Sequence, residues 1–144
     1  MISGYEVDLQ KNKTTMKTPE EYKAFVIEYF QAMSGVVKTP ELCDRYMTDE
    51  ILKEHIVFFD GIFPKYEIFA DEMTCEGNRV TIRARIKGRH EGELNGIPPT
   101  FKDVEFPFAI GYTIENGKII DHWMIADQTV LMEQLGVMEN AGEV

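Results

Sequence analysis

Positive charge is scarce in this 144-residue chain: 15 lysines and arginines stand against 25 acids, for a formal charge of −10. A nucleic-acid partner needs lysine and arginine to neutralise phosphates, and anionic lipid needs a basic patch, so neither is an expected partner. The two cysteines, Cys43 and Cys75, are too few and too unpatterned for a zinc cluster or a disulfide framework. They read as reduced, buried thiols of an intracellular protein. No apolar run is long enough to cross a bilayer. The opening stretch MISGYEVDLQKNKTT lacks the apolar region of a signal peptide, and the expected location is the cytoplasm. Phosphate-binding glycine loops, dinucleotide fingerprints and the Gly-x-Ser-x-Gly elbow are all missing. No cofactor is therefore expected, and chemistry, if any, falls to acid/base groups. The three histidines show neither H-x-H nor H-E-x-x-H spacing, so no metal site is expected either.

What is present is an ordinary globular composition, 44% hydrophobic and 28% charged, read as one domain over residues 1–144 with 1–17 as a loosely ordered N-terminal arm. Thr18, Pro19 and Glu21 form a capping box, followed by Tyr22, Phe25, Val26, Tyr29, Phe30 and Met33 on one helical face. A short second helix starts at Thr39-Pro40. A third runs from near Thr48 toward Pro64, with Leu52, Ile56, Phe59, Ile62 and Phe63 as its apolar stripe and His55 inside it. After Pro64 the period becomes two. Strands are expected at YEIFADEMTCE, with an irregularity at Asp71 and Glu72, at Arg79 to Arg89, at Asp103 to Glu115, and at KIIDHWMIAD. Gly77-Asn78 and Asn116-Gly117 are the hairpin turns. A closing helix from Gln128 to Leu135 ends at Gly136. Helices followed by hairpin-linked strands predict an α+β fold, an antiparallel sheet packed on helices, and strong curvature would leave a cone with an apolar interior.

Three polar groups fall on faces predicted to point inward. On the second strand His90 shares parity with Val80, Ile82, Ala84 and Ile86. On the last strand Asp127 shares parity with Ile119, Trp123 and Ile125, which puts His122 outside. Two readings of Asp127 stand: a desolvated carboxylate raised into the range of a general base, or the N-cap of the closing helix. His90 is either a core histidine satisfied by the backbone or a pocket acid/base, and His55 is either an edge-of-core residue or a pocket residue. Arg79, Arg83, Arg85 and Arg89 on the opposite face read as a solvated, salt-bridged row facing acids such as Glu105. Pro107, Ala109 and Gly111 make a small, flat outer face that suits a homodimer through the sheet.

The stretches GRHEGELNGIPPTFKDVEF and IENGKIIDHWMIADQTVLMEQLG resemble the SnoaL-like polyketide cyclase family, with its G-T-H-x-G-x-x-x-G-x-P-P-T-G, G-K-I-x-E-x-W-x-x-x-D and L-x-x-Q-L-G patterns. The resemblance spans about Thr18 to Val137. It implies a cone-shaped barrel like nuclear transport factor 2 (NTF2-like) and ketosteroid isomerase, usually dimeric. It also implies cofactor-free intramolecular aldol closure, with Asp127 as acid/base and His90 as a pocket residue. Phe101 stands where the family has glycine, Arg89 for threonine, Asp121 for glutamate and Lys65 for aspartate. The expected ligand is a small hydrophobic molecule, with His55, Phe59, Phe106, Phe108, Tyr112 and Trp123 as walls and Phe101 at the mouth. Three functions follow: a cyclase or isomerase acting on a carbonyl compound, a non-catalytic binding module, or a hydratase or dehydratase in the same pocket.

Overall fold

The computed structural model describes residues 16–137; residues 1–15, and with them most of the expected arm, lie outside the described residues. Helices α1 (Pro19–Met33), α2 (Pro40–Asp44) and α3 (Glu50–Ile62) precede strands β1 (Glu67–Glu76), β2 (Arg79–Arg89), β3 (Asp103–Glu115) and β4 (Lys118–Ala126), and α4 (Gln128–Leu135) follows. Each helix start has a chemical cause. The Thr18 hydroxyl accepts the Glu21 N–H at 3.1 Å while the Glu21 carboxylate accepts the Thr18 N–H at 3.0 Å. Thr39 and Asp49 cap α2 and α3 the same way through the N–H groups of Leu42 and Leu52.

The strands pair antiparallel in the order β1-β2-β3-β4. The α+β expectation holds, with one correction: the curved sheet is open, not closed into a barrel. Val80, Ile82 and Ala84 of β2 and Phe106, Phe108 and Ile110 of β3 point to one side, where they bury against Val26, Tyr29, Phe30 and Met33 of α1. Each buried valine, isoleucine, phenylalanine or methionine among them contributes about 1.5–3 kcal/mol of transfer free energy. On the other side, Arg85 bridges Asp71 at 2.8 Å and Glu105 at 2.6 Å, and Asp71 sits where β1 slips register between Ala70 and Glu72.

A second irregularity changes the reading of β4. Thr113 pairs with Asp121 but Ile114 with Ile119, so Ile120 is an extra residue in the ladder. The bulge follows from what lies on the far edge of β4. Ile119 donates its N–H to Tyr46 at 2.8 Å and accepts the Thr48 N–H at 2.9 Å, stitching the segment before α3 to the strand. Beyond the bulge the parity is reversed. His122, Met124 and Ala126 face the helices opposite Tyr112, Ile110 and Phe108, while Trp123 lies on the outer face over Gly111, 48% exposed.

Lys38 is the deepest charge in the described residues, with its side chain fully buried. Its ammonium donates to the carbonyls of Val36 at 2.8 Å and Tyr66 at 2.7 Å, 3.6 Å from the Asp60 carboxylate. Asp60 also accepts the backbone N–H groups of Lys38 and Lys65. The cluster ties the end of α3 to the segments on either side of it. Asp60→Ala strands a buried cation and two backbone donors, and is expected to lower the unfolding free energy by roughly 3–5 kcal/mol in urea titration. Lys38→Met removes the charge together with its desolvation cost and is expected to be milder.

Candidate active site

Between α3 and the inner faces of β2, β3 and β4 lie two adjacent voids. The outer one, about 160 Å³, is lined by Phe59, Ile62, Ile86, Phe106 and Phe108, with His55, Phe58, Asn95 and Gln128 exposed around its mouth. The inner one, about 30 Å³, lies behind shared walls of His55, Phe59, Ile86, Phe108 and Met124 and adds Tyr29, Tyr66 and Tyr112. A larger concavity of about 580 Å³ lies on the outer sheet face beside Trp123 and Gly111, and no histidine lines it.

His55 lines both voids. Solvent reaches one side of the ring, while Phe59 stacks on it at 5.9 Å. Burial, and then the like charge that His122 carries when protonated, lower its pKa below the ordinary 6.5. Its imidazole is therefore neutral at pH 7, with a lone pair to offer. No aspartate, glutamate, lysine or arginine lines either void.

His122 is a correction to the sequence reading, which put it outside. It faces inward because of the Ile120 bulge, and its Nδ1 lies 2.6 Å from the Asp49 carboxylate. The same carboxylate accepts the Leu52 N–H with its other oxygen. One buried side chain thus caps α3 and orients an imidazole. Asp49 was missed as a functional candidate; its only signal in sequence was its place before the α3 stripe.

The other candidates lie elsewhere. Trp123 is not a wall, because the bulge turns it to the outer face. Phe101, 58% exposed, points to solvent with the Arg89 guanidinium 5.8 Å from its ring and lines neither void. Asp127 is exposed and caps α4 through the Val130 N–H at 3.1 Å; its neighbours Ala126 and Gln128 line the outer cavity, but its own side chain does not.

His90 is fully buried at the base of the loop between β2 and β3. Its Nδ1 accepts the Thr100 N–H at 3.1 Å, which places the proton of the neutral ring on Nε2. Nε2 has no hydrogen-bond partner among the described residues, and the ring lies against Phe63. The loop is pinned further by the N–H groups of Glu91 and Gly92 on the Ile62 carbonyl, at 2.9 and 3.0 Å. Gly92 is required there, since a Cβ would collide with the Gly61 backbone. His90 thus clamps the loop, which lends Leu94 and Asn95 to the cavity wall; Pro98 and Pro99 stand exposed, away from it.

An open, curved antiparallel sheet holding an apolar cavity against its helices defines the class: an NTF2-like α+β domain. The chain belongs to the SnoaL-like polyketide cyclase family, whose profile matches residues 27–135. Solved structures agree in fold. AclR from Streptomyces galilaeus, a proposed hydroxylase, superposes with a TM-score of 0.72 at 20% identity, covering 83% of this chain and 98% of its own. IdmH from Streptomyces antibioticus, a proposed polyketide cyclase, gives 0.67 at 19%, covering 81% and 99%. A SnoaL-like polyketide cyclase from Agrobacterium tumefaciens gives 0.67 at 15%, covering 80% and 98%. No curated protein matches the sequence.

Two outcomes follow. His122→Gln removes the neighbouring like charge, so the His55 midpoint, followed by NMR of the ring Cε1–H, is expected to move up toward 6.5. Phe101 holds φ +59°, a left-handed conformation costly for a residue with a Cβ, at the position where the family has glycine. Phe101→Gly is expected to raise stability by up to about 1 kcal/mol in denaturant titration.

Proposed function

We propose that this chain is a cofactor-independent enzyme that removes a proton from carbon beside a carbonyl in a small apolar compound, leading to ring closure or isomerisation. The observation that carries the reading is His55: a ring held neutral by its surroundings, at the mouth of an apolar cavity lined by no competing charge. Its lone pair takes the proton, the C–H electron pair becomes an enolate, and the enolate carbon attacks a second carbonyl or is reprotonated. In the aldol case the imidazolium returns its proton to the new alkoxide. Because the His55 pKa is lowered, the acid limb of the rate profile is expected to fall below pH 6.5. His122, oriented by Asp49, is the adjacent group that tunes this base.

A second reading places the base at Asp127. It is supported by the family's W-x-x-x-D position and by its place between two residues of the cavity mouth, Ala126 and Gln128. A homodimer through the outer sheet face, where Trp123 and Ile125 stand exposed, belongs to the same proposal; a monomer in sedimentation removes it.

Hydrogen–deuterium exchange into β-keto esters and aryl methyl ketones separates the bases. His55→Gln is expected to lower exchange roughly 100-fold or more while Asp127→Asn leaves most of it. The reverse pattern assigns Asp127. Binding without exchange in wild type makes the chain a binding module.

A further inference from the structure

The inner void carries three phenols that proton abstraction does not use. Tyr29 comes from α1, Tyr66 from just before β1 and Tyr112 from β3; all three line the inner void with His55, and none is more than 6% exposed. Tyr29 meets Tyr112 edge-on at 5.7 Å, and Phe59 meets Tyr66 edge-on at 5.4 Å. The Tyr29 and Tyr112 hydroxyls are hydrogen-bond neighbours, and Tyr66 lines the same void. Burial pushes all three pKa values up, so each hydroxyl keeps its proton and remains a donor. The Lys38 ammonium, 3.9 Å from the Tyr66 ring centre, draws electron density from that phenol and strengthens its O–H as a donor.

We propose that these three hydroxyls form the seat of the substrate's carbonyl oxygen, so that the ligand enters oxygen first and lays its acidic carbon beside His55. The volumes fit that orientation. The inner void of about 30 Å³ exceeds the roughly 10–15 Å³ that one water needs and is far too small for a ring, so it has room for an oxygen-bearing group. The outer cavity of about 160 Å³ matches the size that holds one benzene ring, roughly 150 Å³. The buried part of the substrate is thus a single ring, or a chain of similar bulk, bearing a carbonyl, and a fused polycycle does not enter whole. As His55 takes the proton, the C–H pair forms the carbon–carbon double bond and the carbonyl π pair moves to oxygen, where preorganised O–H donors stabilise it. The orientation relative to His55 rests on the proposed function; the oxygen seat is a binding claim that stands apart from turnover.

The test compares acetophenone with α-methylstyrene, which replaces the carbonyl oxygen by CH₂ in the same shape, by NMR titration. Wild type is expected to prefer acetophenone roughly tenfold. Tyr29→Phe, Tyr66→Phe and Tyr112→Phe are each expected to reduce that preference while leaving α-methylstyrene affinity unchanged. Equal affinities in wild type, no acetophenone binding up to its solubility limit, or a preference that survives all three substitutions overturns the proposal. The infrared stretch of bound acetophenone supplies a readout on wild type alone. A shift to lower frequency than in hexane supports the seat, and an unshifted band contradicts it. If His55 is not the base, exchange survives His55→Gln or is missing from wild type while the oxygen preference stays, so the two failures are told apart.

Discussion

The Asp49 carboxylate joins two elements that the site needs in fixed relation. One oxygen ends α3 by accepting the Leu52 N–H, and the other holds His122 on β4 at 2.6 Å. The backbone beside it repeats the tie, since Tyr46 and Thr48 hydrogen-bond Ile119. With the start of α3 fastened to the strand edge, His55 and Phe59, about one and a half and two and a half turns further on, line the voids between the helix and β3. The Ile120 bulge belongs to the same joint, because Ile119 serves the outer segment while its neighbours keep their ladder with β3.

Around the site that this joint positions, charge is unevenly distributed. The molecule is strongly acidic, yet no carboxylate lines the cavity; its ionisable side chains are one imidazole and three phenols, with the amides of Asn95 and Gln128 at the mouth. A low-dielectric wall penalises charge, which keeps the imidazole unprotonated and the phenols protonated at neutral pH. An acceptor of protons and donors of hydrogen bonds are thereby held in one enclosure without metal-ligand or cofactor motifs in the sequence. Cys43 is out of this chemistry: burial pushes its thiol up to about 11.

Much of the scaffold was legible in the sequence, and the exceptions have a common cause. Caps are local, so Thr18, Thr39 and Gly136 announced their helices, and the clean alternation of β2 and β3 announced the inner faces of the sheet. Asp71 betrayed its bulge because the alternation visibly slips. Ile120 did not, because Ile119 and Ile120 are both apolar and either parity through KIIDHWMIAD looks acceptable. That single insertion moved Trp123 out and His122 in. The Asp127 cap was one of two readings open from sequence; its distance from the cavity wall depends on how α4 leaves β4. The partnership of Asp49 with His122 spans 73 residues, and no local pattern encodes it. His90 was placed inward, but its tie to Thr100 depends on how the loop folds back on itself.

The site depends on the face that β4 presents, and aromatic NOE spectroscopy reads that face directly. Cross-peaks from the Trp123 indole to the Gly111 Hα protons, together with contacts from the His122 ring to Asp49 and Tyr112, are the predicted result. Indole cross-peaks to Phe108 or to the Met124 methyl would put the tryptophan inside and His122 outside, and would contradict the joint, the tuning of His55 and the site built on them.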